Sequence, residues 1–239
     1  MSKKIFYITL PLIGLFGALT PSYGGEVFVQ SPILSNPGLD QFNQEVKTAP
    51  TAINYNRRAE ALRRLGLRKE AVDDINRSLQ LEPSNVAVLT LKGQVYFEDG
   101  MYPEAVTNLN EAIKLDPKFD NGYLMRGRAF LRLKQYSKAL DDANTVLAAD
   151  PKSAPGYVLR GAAYFGLGKY SDAIDDCTSA IKLNPSIVKA YYWRGQAYQA
   201  NKDYQKSVDD LSKAVSIQSD YRPAQVALAL SYYKLGKYL

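Results

Sequence analysis

From residue 52 onward, apolar positions recur with a helical period, and the whole pattern repeats every 34 residues. In residues 154–187, Tyr157, Gly161 and Tyr164 fall at i, i+4 and i+7, and so do Ala173, Cys177 and Ala180. Each set lies along one face of an α-helix. Gly166-Leu167-Gly168-Lys169 separates the two sets as a glycine-rich break. Pro185 closes the second set, because proline has no amide hydrogen and its ring clashes with the preceding turn. The pattern predicts two helices in every unit.

Pro83, Pro117, Pro151 and Pro185 recur at that interval and divide the chain into units 52–85, 86–119, 120–153 and 154–187. A fifth unit, 188–221, has Ser219 in the proline slot, and a partial sixth covers 222–239. A fixed period of this size means a stack of copies of one small element. With the proline at position 32, position 4 reads Tyr55, Leu89, Tyr123, Tyr157 and Tyr191. Position 8 reads Ala59, Gly93, Gly127, Gly161, Gly195 and Ala229, and position 20 reads Ala71, Ala105, Ala139, Ala173 and Ser207. Small residues there let helix backbones approach, while the large ones at positions 4 and 11 fill the space between layers.

The arrangement Tyr157-x-x-Arg160-Gly161-x-x-Tyr164, with Ala173, Ala180 and Pro185 following, resembles the tetratricopeptide repeat family, and the resemblance covers 52–239. It implies an all-α solenoid: a right-handed superhelix of helix-turn-helix hairpins, five complete and one partial. Its first helices would line a concave groove that binds peptides or protein segments. Pentatricopeptide repeats run at 35 residues with a different pattern, so the period of 34 argues against an RNA reader.

Composition changes this picture little. The 239 residues are 46% hydrophobic, enough for one continuous core. Eighteen tyrosines suggest stacking on nucleic-acid bases, yet positions 4, 11 and 17 of the repeat account for thirteen of them. No nucleic-acid partner is expected.

Residues 1–24 follow another logic. Lys3 and Lys4 precede an apolar stretch from Ile5 to Leu19, and Ser22-Tyr23-Gly24 places small residues at −3 and −1 of a cut. This is the layout of a secretory signal peptide, so the mature protein is expected to be periplasmic or secreted. An uncleaved membrane anchor is the competing reading. The apolar run is shorter than the roughly 20 residues a spanning helix needs, and Pro11, Gly14 and Gly17 interrupt it. Removing the segment takes Lys3 and Lys4 with it and lowers the net charge from +6 to +4, too mild for a nucleic-acid signature. Residues 25–51 read as a linker, in which Leu39, Phe42 and Val46 suit a short capping helix over the first repeat.

Chemistry finds little to work with. The chain has no histidine, which removes the commonest general base and transition-metal ligand. Cys177 is the single cysteine and reads as a small buried hydrophobe. No glycine-rich phosphate loop occurs. Enzymatic activity, a cofactor, a metal site and a small-molecule substrate are therefore not expected.

The acidic pairs Asp73-Asp74, Asp141-Asp142, Asp175-Asp176 and Asp209-Asp210 recur at positions 22 and 23. Position 7 is Arg58, Arg126, Arg160 and Arg194 in the same four repeats. The second repeat carries Lys92 with Thr107 and Asn108 instead. Sites that change together predict a charge-assisted pair between position 7 and an aspartate, taken as Asp74, Asp142, Asp176 and Asp210.

By the resemblance, positions 2, 5, 9, 12 and 13 face the groove, which assigns it Phe97, Leu124, Arg128, Leu131, Val158, Phe165, Tyr192 and Gln196. These positions vary between copies while the packing positions do not. The expected function is a non-catalytic, exported scaffold that binds an apolar or amphipathic segment of a partner protein. A carboxylate clamp of the chaperone-binding type is not expected, because positions 5 and 9 of the first repeat are Asn56 and Glu60. The alternative is an anion-binding accessory protein at the cell envelope, using Arg57, Arg63, Arg64, Arg68 and Lys69 of the first repeat. Weak self-association through the last helix, around Ala229 and Tyr232, is a further expectation.

Overall fold

The computed structural model describes residues 37–236, which form α-helices with no strand among them. The signal-peptide reading of 1–24 and the first part of the linker lie outside the described residues, as do residues 237–239. A short helix, α1 (Asp40–Thr48), precedes the repeats. The first helices are α2 (Ala52–Arg64), α4 (Val86–Glu98), α6 (Asp120–Arg132), α8 (Ala154–Gly166), α10 (Val188–Ala200) and α12 (Arg222–Lys234), each of 13 residues. The second helices are α3 (Arg68–Leu81), α5 (Tyr102–Leu115), α7 (Tyr136–Ala149), α9 (Tyr170–Leu183) and α11 (Tyr204–Ile217), each of 14. The chain is an all-α helical repeat solenoid.

Local chemistry sets the boundaries. Thr51, Asn85 and Ser153 each accept the amide of the residue three positions on, satisfying one of the donors a helix start leaves free. Between the two helices of each unit, position 15 enters the left-handed region: Gly66, Gly100 and Gly168, but also Lys134 (φ 57°) and Lys202 (φ 64°). There the amide of the following residue returns to the helix, as in Asp203 N to Tyr198 O at 2.9 Å. Such a closing turn favours glycine, so two of the five hairpins fold around a less suited residue.

Packing runs in three directions. Each first helix packs on the second helix of its unit, each second helix on the next first helix, and successive first helices on one another. The first helices thereby line one continuous face. Position 8 is where backbones meet: a Cβ on Gly93, Gly161 or Gly195 would come within 2.7–2.8 Å of Leu109 Cγ, Cys177 Sγ or Leu211 Cγ at position 24. Helix α1 packs on α2, burying Leu39 and Val46 and holding Arg57 over the Phe42 ring at 5.7 Å.

Cys177 is fully buried against Gly161, and burial pushes its thiol up to about 12. A thiolate is the reactive form, so the folded protein is expected to resist thiol reagents at about pH 8. Labelling with an aromatic disulfide should proceed only in denaturant. Fast labelling of the native array would show that α9 opens readily.

At the last helix, Ala224, Ala227 and Ser231 are buried on the preceding hairpin. Ala229 is exposed and Tyr232 half-buried, while the large exposed side chains are Val226 (71%), Leu230 (45%) and Tyr233 (59%). These three occupy positions 5, 9 and 12, in line with the groove positions of the earlier helices.

Candidate functional site

Two sets of side chains were singled out by the sequence, and the structure keeps them apart. One holds the repeats together. Arg58, Arg126, Arg160 and Arg194 each donate Nε and Nη2 to the two oxygens of Asp74, Asp142, Asp176 and Asp210, at 2.6–3.1 Å. Such two-point contacts are the strongest arginine–carboxylate geometry. In Arg58, Arg160 and Arg194 the bond to the aspartate holds the guanidinium pKa above its ordinary value. For Asp142 burial prevails over Arg126 and raises the carboxyl.

The fork also reaches backwards. Nη1 of Arg126, Arg160 and Arg194 donates to Asn110 (2.7 Å), Asn144 (3.3 Å) and Thr178 (3.0 Å), each at position 25 of the preceding repeat. Arg58 reaches Asn43 of α1 in the same way, at 3.3 Å. Tyr55, Tyr123, Tyr157 and Tyr191 at position 4 lie beneath the guanidinium groups at 5.4–6.0 Å. In the second repeat, position 4 is Leu89, so ring, cation and acid are all exchanged there. Thr107 and Asn108 bond instead to carbonyls of their own helix, Pro103 O (3.1 Å) and Glu104 O (2.8 Å).

The second set lies on the face of the first helices. Phe97, Leu124, Arg128, Leu131, Phe165, Tyr192 and Gln196 are half-buried there. Val158 is a correction: at 9% exposure it packs with Ala180 and Ala190 in the core and offers a ligand almost nothing. Leu131 also leans on the core around Phe130. What the face presents instead is a chain of rings: Tyr170–Phe165 (5.6 Å), Phe165–Trp193 (5.4 Å), Trp193–Tyr192 (4.9 Å) and Tyr192–Tyr221 (5.5 Å). Edge and tilted contacts at these distances are favourable beyond area burial and stiffen the surface. Trp193, Tyr170 and Tyr221 sit at positions 6, 17 and 34, outside the groove positions, so a rule based on position alone misses them.

Polar contacts fix the ends of this surface. Gln196 donates to Tyr192 Oη at 3.0 Å, and Gln199 donates to Ser231 Oγ at 2.7 Å. Phe165, Gln196, Gln199, Tyr204, Leu230 and Lys234 line an open cleft of about 230 Å³. A larger one, about 570 Å³, lies between α1 and α2 among Phe42, Asn56, Arg57, Glu60, Arg64 and Leu65.

The four arginines of the basic cluster in the first repeat have carboxylate partners: Arg57–Glu45 (2.7 Å), Arg63–Glu60 (2.9 Å), Arg63–Glu98 (2.6 Å), Arg64–Glu60 (2.9 Å) and Arg68–Asp99 (3.3 Å). Arg63 above all, then Arg64, holds the Glu60 carboxyl below its ordinary pKa despite partial burial. Further along, among the described residues the hydrogen-bond partner of Arg128 is the Met125 sulfur (3.7 Å), and burial lowers its pKa.

Models of the tetratricopeptide repeat match residues 52–85, 154–187 and 188–221, and a TPR repeat model matches 93–134. No curated protein matches the chain. Among solved structures, a thermophilic TPR protein of Thermus thermophilus superposes with a TM-score of 0.66 at 19% identity, covering 76% of this chain and 99% of that one. MamA of Desulfovibrio magneticus RS-1 is similar at 25% identity with a TM-score of 0.61, over 71% of this chain and 96% of that chain. YrrB, described as a TPR protein with an unusual peptide-binding site, is 22% identical with a TM-score of 0.57, over 78% of this chain and 96% of that chain.

Proposed function

We propose that this chain, an array of tetratricopeptide repeats, is a non-catalytic scaffold that holds an apolar or amphipathic segment of a partner protein against its first helices. The observation that carries the reading is the row of rings from Tyr170 to Tyr221, a rigid surface that remains half-open to solvent. Aromatic surfaces of this kind supply large contact area at low conformational cost. Export is part of the proposal and rests on residues 1–24. The alternative, anion binding by the first repeat, is disfavoured because Arg57, Arg63, Arg64 and Arg68 already have carboxylate partners. Val226, Leu230 and Tyr233 stand at groove positions, which favours a continuation of the groove over weak self-association through α12.

The test uses residues 25–239 immobilised against a displayed library of random peptides, with binding of the selected peptides followed by Trp193 fluorescence. Phe165→Ala with Tyr192→Ala should weaken the selected peptides at least tenfold while the helical circular-dichroism signal persists; tenfold corresponds to about 1.4 kcal/mol. Equal binding by both arrays would place recognition elsewhere.

A further inference from the structure

Charge is distributed unevenly along the groove. In the first two repeats the groove positions carry Glu60 and Glu98, both bonded to Arg63. From the third repeat onward, positions 2, 5, 9, 12 and 13 contain Arg128, Arg132, Lys189 and Lys234 and no carboxylate. Arg132 is occupied by Tyr102, donating to its hydroxyl at 2.9 Å with the guanidinium over the ring. Lys234 lies over the Tyr233 ring at 5.9 Å.

Arg128 and Lys189 differ from these. Among the described residues neither has a carboxylate within ion-pair distance, and Lys189 has no hydrogen-bond partner. Between their helices, position 9 of α8 is Ala162, a short side chain that is itself buried. Arg128 is half-buried and Lys189 exposed, and partial burial together with repulsion from Arg128 lowers the Lys189 pKa. Two like charges on one face repel each other, and an anion bound between them relieves the repulsion. Leu124 and Leu131 stand one turn to either side of Arg128 on α6, and Tyr192 stands one turn beyond Lys189 on α10, so apolar surface borders both cations.

We propose that Arg128 and Lys189 form an anion anchor that selects peptide segments carrying an aspartate or glutamate side chain among apolar residues. The proposal rests on the groove being the binding surface and adds the chemical class of the segment it takes. A free α-carboxylate is not required, since the anchor lies midway along the array with groove on both sides. Affinity comes from the rings, and the anchor fixes register and rejects basic segments.

The same displayed library separates the two claims. Wild-type 25–239 should enrich peptides with Asp or Glu beside aromatic or aliphatic residues. Arg128→Gln with Lys189→Gln should still enrich apolar peptides but lose the acidic preference. For the best peptide, Glu→Gln should weaken wild type about tenfold and leave the double variant unchanged. Arg128→Lys with Lys189→Arg, which keeps both charges, should retain the preference and control for folding. Neutral or basic peptides enriched by wild type, or an acidic preference surviving in the double glutamine variant, would overturn the anchor. No enrichment over the Phe165→Ala, Tyr192→Ala array would instead remove the groove reading on which it stands.

Discussion

Arg160→Met should cost the array about 3 kcal/mol, among the larger losses available from one side chain. The substitution removes two bonds to Asp176 (2.7 and 2.8 Å), one to Asn144 of the preceding repeat, and the cation above Tyr157. Methionine fills much of the stem's volume, so packing changes little and the loss is electrostatic. It leaves the Asp176 carboxylate, only 9% exposed, without its counter-charge. Breaking such a pair from one side is more damaging than never having it, because the desolvated partner remains. The chain already contains the paired exchange: where Lys92 replaces the arginine, Asn108 replaces the aspartate and bonds within its own helix. Arg160→Lys with Asp176→Asn should therefore recover most of the stability lost in Arg160→Met. Urea unfolding followed by circular dichroism measures both, and a double variant no more stable than Arg160→Met would mean that the loss does not come from leaving Asp176 without its partner.

The second large effect is expected at Gly127. In the other glycine-bearing repeats, position 8 meets position 24 of its own hairpin, but the third repeat has Ala143 there, a shorter side chain. Leu159 of the next repeat occupies the space: a Cβ on Gly127 would lie 2.5 Å from Leu159 Cδ2 and 3.3 Å from its Cγ. Leu159 is itself 2% exposed and cannot swing outward without leaving the core. Gly127→Val should cost about 2–3 kcal/mol through overpacking. Leu159→Ala opens a cavity and is destabilising alone, on the order of 2–5 kcal/mol. Combined, the two should cost clearly less than their sum, since each relieves the other. Strict additivity in the unfolding free energies would show that the third and fourth hairpins do not meet at this point.

The helices and their order were legible because a repeated sequence states each boundary several times. Position 1 starts every first helix and position 17 every complete second helix. The arginine–aspartate partnership was readable from the joint exchange at Lys92, and the position-23 carboxylate assigned to it is the buried one that the arginine meets. The backward bond to position 25 left no comparable trace, since Asn110, Asn144 and Thr178 are ordinary helix-surface residues in isolation. Leu89 in place of tyrosine was a visible signal for the third member of the set, the ring under the cation. Lys134 and Lys202 were hidden for another reason: glycine-rich breaks advertise a left-handed turn, whereas a lysine forced into one does not. In the groove, position alone identified a face but not its accessibility, which depends on how far neighbouring helices close over a short side chain such as Val158.

The absence of a fork at Lys92 sets the first joint apart from the three that follow. From the second repeat to the fifth a shielded guanidinium clasps the preceding repeat, but between the first and second hairpins the polar crossing contacts are Arg63–Glu98 and Arg68–Asp99, whose carboxylates are open to water. Ions at molar concentration screen charges over about 3 Å and so act on these two contacts far more than on the buried forks. In a stacked array, cooperativity is carried joint by joint. Ionic strength thus acts as a dial on how many residues melt together: a single block in dilute buffer, and in concentrated salt a separate leading segment made of α1 and the first hairpin.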